Sequence, residues 1–166
     1  MTPADGPLTV AGHDESGEHL GHEVDRLCRV AEHTLRTEGV TDGHLDIFFV
    51  DPDTMAGLNE THLGHDGPTD VLAFPLDAVD DEPGPAPPDG DGPPRHLGDV
   101  VVCPAVARRQ APEHCGRNDA ELTLLVVHGV LHVLGHDHAA DDERLVMQDR
   151  ERRHLAIFGF RHPVAS

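Results

Sequence analysis

The sequence predicts a single α+β domain of about four strands and five helices. Short apolar runs of strand length recur at residues 44–50, 71–76 and 97–103, and helical stripes of apolar residues lie between and after them. At 166 residues the chain has room for one hydrophobic core that folds without disulfides, and nothing in it suggests a second domain.

The first twenty residues are rich in Gly, Asp, Glu and His without periodicity. They predict a flexible acidic lead-in, or at most one edge strand, ahead of a domain running from 21 to 160. From Glu23 to Arg36, the residues Val24, Leu27, Cys28, Ala31 and Leu35 form one apolar stripe of a helix that Gly39 can close. His44 to Val50 is a strand. Asp51 then places a capping carboxylate before Pro52, opening a short helix through Leu58. Val71 to Leu76 and Leu97 to Cys103 are two more strands, and between them residues 77–95 form an exposed acidic loop of Pro, Gly and Asp. Pro104 begins a helix through about Glu113. Asn118, with Glu121 three residues on, has the pattern of a capping box for the next helix. That helix is apolar nearly all round and should be central and buried. A last helix spans Asp141 to Phe158.

Twelve basic and 31 acidic residues give a net charge of −19, which at first sight opposes a polyanionic partner. The distribution softens that objection, because residues 1–25 and 77–94 hold six acids each and no base. All twelve bases are arginine, a side chain suited to gripping phosphates bidentately. Cys28, Cys103 and Cys115 are odd in number and form no CxxC pair, which reads as ordinary reduced cysteine. The longest apolar stretch, Leu122 to Leu134, is too short to span a bilayer, and the acidic N-terminus lacks a signal-peptide pattern. The expected location is the cytoplasm.

The chemistry lies in His128-Gly129-Val130-Leu131-His132-Val133-Leu134-Gly135-His136-Asp137-His138. On a helix, His128 and His132 project from one face a turn apart. Gly135 suits the left-handed position that ends a helix and can swing the chain back toward the same metal. The spacing favours His138 as third ligand, with His136 as its rival. Three neutral imidazoles leave one position open, as in a catalytic zinc site. Gly129 stands where a zinc peptidase of this spacing needs a glutamate base. Asp137 is the one candidate catalytic group, either a base toward water, an acceptor for a ligand imidazole or a plain turn residue; otherwise the general base is unknown. Upstream, Gly67-Pro68-Thr69-Asp70-Val71-Leu72-Ala73-Phe74-Pro75 reads on physical grounds as a turn entering an apolar strand.

Together with Leu97-Gly98-Asp99-Val100, Met147 and Glu151, these two strings resemble, in order and separation, the YbeY family of bacterial endoribonucleases. The resemblance covers about residues 22–158, and Gly129 is the family's own residue. It implies a compact α+β domain with a small mixed sheet, one zinc ion per chain on His128, His132 and His138, and processing and quality control of small-subunit ribosomal RNA. RNA and ribosomal or small-subunit assembly proteins would be the partners. Two residues depart from the family pattern: His136 where tyrosine is common, and Leu63 where many members carry an arginine thought to face RNA. His62, His65, Arg108, Arg109 or Arg117 are the candidates to replace that contact. The competing readings are a zinc-containing RNA-binding assembly factor with little or no cleavage, and, more remotely, a zinc peptidase.

Overall fold

The computed structural model describes residues 8–76, 95–136 and 140–163. Asp137, His138 and nearly all of the acidic loop therefore lie outside the described residues. Within them, four strands, β1 (Leu8–Glu15), β2 (Gly43–Val50), β3 (Val71–Pro75) and β4 (His96–Val102), form one mixed sheet in the order β1-β2-β4-β3. β1 and β4 both run parallel to β2, and β3 pairs antiparallel with β4. Five helices accompany the sheet: α1 (His22–Thr37), α2 (Pro52–Leu63), α3 (Pro104–Gln110), α4 (Asn118–Val133) and α5 (Asp141–Ile157).

Alternation along β2 sets the two faces of the sheet. Leu45, Ile47 and Phe49 are fully buried, whereas His44, Asp46 and Phe48 point to the other side and stay partly open. α1 and α4 cover the first face, where Leu27, Leu35, Val100, Leu122, Val126, Val130 and Leu131 form the main core with the β2 residues. A smaller cluster on the opposite face joins Met55 of α2 to Val50, Leu72 and Val101. α5 packs on α4 rather than on the sheet.

Several boundaries differ from the sequence reading, each for a local reason. β1 makes the segment before Gly21 part of the folded sheet, because Leu8 is buried and Gly12 lets the strand press against Val24 and Cys28 of α1. β1 lies at the edge of the sheet, the one edge strand that the sequence allowed for in this segment. α2 continues five residues past Leu58, to the left-handed Gly64, and its Asp51 cap accepts from the Thr54 N–H at 2.7 Å. The capping box at Asn118 does not form: Arg117 is the cap residue without a side-chain bond, and Glu121 is spent elsewhere. The helix expected over 104–113 is α3 followed by a single 3-10 turn, Ala111–Glu113. All three cysteines are free thiols. Among the described residues, no helix is long and apolar enough to cross a membrane.

Candidate metal centre

α4 is the buried central helix that the sequence predicts, and it carries His128 and His132 with ring centroids 4.7 Å apart. Its end is fixed by hydrogen bonds of the Schellman type: the His136 N–H reaches the Leu131 carbonyl and the Gly135 N–H reaches that of His132, both at 3.0 Å. Gly135 adopts φ +101°, a conformation that costs other residues strain, so the chain turns sharply here as expected.

Gly129 has a packing reason. A Cβ at this position would sit 2.6 Å from Val100 Cγ1, because α4 lies directly against the sheet there. The residue following the first histidine therefore faces packed core. A glutamate could not occupy that position unless α4 or the Val100 side chain shifted.

Glu151 of α5 organises the histidines. It is buried, and one carboxylate oxygen accepts a short hydrogen bond from His128 Nδ1 while the other accepts from His162 Nε2 at 2.7 Å. With Nδ1 so engaged, Nε2 is the nitrogen with which His128 could ligate a metal, and a carboxylate behind a histidine is the arrangement common at metal sites. Burial alone would raise the Glu151 pKa, but the bonds from His128 and His162 outweigh it and bring the carboxyl down to about 2. The site thus pairs two helix-borne imidazoles with a fixed anion behind them, an arrangement that could take part in holding a divalent metal ion. Sequence reasoning noticed Glu151 only through the family resemblance. The available signal was its place one turn after the buried Met147, on a helix otherwise rich in exposed charge.

The turn into β3 is tied to α4 by a second buried carboxylate. Asp70 accepts from its neighbour's N–H, that of Val71, at 2.8 Å, and Gln110 Nε2 donates at 2.9 Å both to Asp70 and to Glu121. Glu121, fully buried, also accepts from His114 Nδ1 at 2.8 Å and from the Cys115 N–H at 3.2 Å. Asn59 of α2 closes the same loop by donating to the Gly67 carbonyl at 2.9 Å. These residues hold the loop from 64 to 70 in place.

Other expected site residues are dispersed. His136 Nε2 lies 3.8 Å from Glu38 Oε1, on the side of α1, rather than with His128 and His132. Arg108 is paired with Glu18, and Arg117 with Asp119 at 2.6 Å while lying 5.5 Å from the Phe160 ring centroid. Arg109 is exposed and, among the described residues, has no carboxylate partner. Leu63 is 54% exposed at the end of α2, and His62 beside it packs edge-on to Phe74 at 4.9 Å.

Comparison with known proteins bears on this geometry. The family described as Endoribonuclease YbeY matches residues 13–159. A protein of that name from Salinispora tropica is 45% identical over 152 residues, 90% of this chain and 95% of its own. Another, from Thermobifida fusca, is 40% identical over 150 residues, covering 90% and 93% of the two chains. The solution structure of TM1509 from Thermotoga maritima superposes with a TM-score of 0.57 at 26% identity, over 89% of this chain and 86% of that one.

Proposed function

The chain belongs to the YbeY family of endoribonucleases, and on that premise we propose that it is a zinc-dependent enzyme cutting single-stranded segments of ribosomal RNA precursors. Its role would be maturation, notably of small-subunit RNA, and ribosome quality control in the cytoplasm, in contact with ribosomal or assembly proteins. The observation carrying this reading is the His128–His132 pair with Glu151 behind it. Zinc on His128, His132 and His138 would supply a Lewis acid for hydrolysis of a phosphodiester.

The chain's own residues contribute positioning and exclusion. Glu151 holds the His128 tautomer and keeps a negative charge beside the ligands. The close approach at Gly129 denies the site the glutamate base of a zinc peptidase, which argues against that alternative. Asp137 remains the candidate group for proton transfer, and of Arg108, Arg109 and Arg117 it is Arg109 that has no carboxylate partner among the described residues.

The test is metal analysis of the purified protein coupled to cleavage of precursor small-subunit RNA, with and without chelator. His128→Ala and His132→Ala should each lose zinc and cleavage together. Cleavage that survives in a verified zinc-free variant would overturn the reading.

A second reading, an RNA-binding assembly factor with feeble cleavage, draws support from Leu63 and from the pairing of Arg108 and Arg117 with acids. Leu63→Arg separates the two. Because Leu63 is exposed, the substitution should fold, and cleavage should rise severalfold if a missing phosphate contact limits an otherwise intact enzyme.

A further inference from the structure

On the sheet face opposite α4, three histidines converge on two aspartates. His13 Nε2 of β1 and His44 Nε2 of β2 lie 2.9 and 3.0 Å from Asp46 Oδ1. His96 Nε2 of β4 lies 3.4 Å from Asp46 Oδ2 and 3.0 Å from Asp99 Oδ1. Asp46, His96 and Asp99 offer ligand atoms that all fall within 4.8 Å of one another.

The backbone accounts for the gathering. His44 and Asp46 share a face because they are two residues apart in β2, but His96 and Asp99 are three apart and should point to opposite sides. A register shift between His44 and Leu45 corrects this: His44 pairs with His96, and Asp46 with Asp99, so Leu97 is the extra residue. Gly98 permits the irregularity, since a Cβ there would lie 2.6 Å from the Phe74 carbonyl oxygen.

We propose that Asp46, His96 and Asp99 form a second binding site, for a divalent transition-metal ion of the zinc type, which staples β2 to β4, while His13 and His44 hold the Asp46 carboxylate in place. Zinc bonds of about 2.0–2.2 Å in a tetrahedron require donor atoms roughly 3.3–3.6 Å apart, and His96 Nε2 lies 3.4 and 3.0 Å from the Asp46 and Asp99 oxygens. Mixed imidazole and carboxylate donors suit such ions. Supporting contacts are also in place. Thr9 Oγ1 lies 2.7 Å from His44 Nδ1, so its hydroxyl can donate to that nitrogen while His44 Nε2–H donates to Asp46. His13 stacks on Phe48 at 4.7 Å and 20°, which fixes its ring plane. The two carboxylates would offset the charge of the ion, whereas the ligands proposed above, His128, His132 and His138, are neutral. The new site is thus structural in character. It adjoins a groove of about 440 Å³ lined by Phe48, Leu58, His62, Phe74 and Asp99, so the ion would also rigidify one wall of that groove.

The experiment counts zinc bound to chelator-stripped full-length protein after equilibrium dialysis. Wild type should hold two equivalents, the Asp46→Asn/His96→Gln variant one, the His128→Ala/His132→Ala variant one, and their combination none. In the His128→Ala/His132→Ala background, added zinc should raise the melting temperature, and His44→Gln should weaken that remaining affinity by about tenfold. A single wild-type equivalent that disappears with His132→Ala would overturn the second site and leave the proposed nuclease standing. A single equivalent that disappears instead with Asp46→Asn/His96→Gln would support the site and remove the zinc-dependent reading of α4. A second equivalent that survives Asp46→Asn/His96→Gln would mark general surface binding and also overturn the proposal. If that double variant misfolds by circular dichroism, Asp99→Asn, on a partly exposed position, serves in its place, with loss of the second equivalent expected and its retention at full affinity decisive against the site.

Discussion

Gly129 rests against Val100 with no space for a side chain, its hypothetical Cβ only 2.6 Å from Val100 Cγ1. Two effects oppose one another on Gly129→Ala. Helix propensity favours alanine by about 1 kcal/mol. Overpacking a rigid β-branched neighbour that is fully buried costs about 1–3 kcal/mol. The clash should win, and urea denaturation should show lower stability for Gly129→Ala and much lower for Gly129→Glu. An alanine variant as stable as wild type would mean that α4 moves away from β4 at little cost.

Glu151→Gln tests the carboxylate behind His128. The amide keeps the shape but loses the charge, and it confronts two imidazole N–H donors with a single oxygen acceptor. Zinc affinity measured against a competing chelator should fall roughly 10- to 100-fold. Unchanged affinity would show that His128 needs no such partner.

Glu38 makes stability depend on acidity at the junction of α1 and α5. Burial tends to raise its pKa, but bonds from His154 Nε2 and Arg150 Nη1, both at 2.7 Å, more than offset this and hold it below the ordinary value of 4.5. A carboxyl lowered on folding adds stability that is fully present above its unfolded value and disappears as pH falls through its folded one. Wild type should therefore exceed Glu38→Gln in urea midpoint at pH 7, with the gap closing steadily below pH 4.5. A gap that stays constant down to pH 2 would refute the linkage.

Cys115 should be nearly inert. Burial and the adjacent Glu121 carboxylate raise its pKa to about 12, leaving about one thiol in ten thousand ionised at pH 8. Iodoacetamide labelling of the native protein should be slow at Cys115. It should quicken about tenfold or more in Glu121→Gln, provided circular dichroism shows a native fold. Rapid labelling of wild type would contradict this environment.

Local patterns were legible wherever neighbouring residues alone decide the outcome. The amphipathic stripe of α1, the apolar run of β2, the Asp51-Pro52 helix start and the stop at Gly135 follow from such rules, and all appear. β1 was harder to read because its apolar side carries Gly12, whose use is close approach to α1, a tertiary contact. Asn118 and Glu121 have the right spacing for a cap, yet Glu121 gains more from His114, Gln110 and the Cys115 N–H in the interior. At the metal centre, the i,i+4 histidines were readable. The partnership of His128 with Glu151 was not, because it joins residues 23 positions apart on two helices and depends on how α5 docks.

That docking orders events in time. His128 and His132 leave the ribosome before Glu151 and His162, the residues that complete their setting. While the chain is still being made, its emerging histidines lack the carboxylate that fixes which nitrogen faces a metal. The setting of His128 is therefore complete only once α5 has been made and has docked on α4.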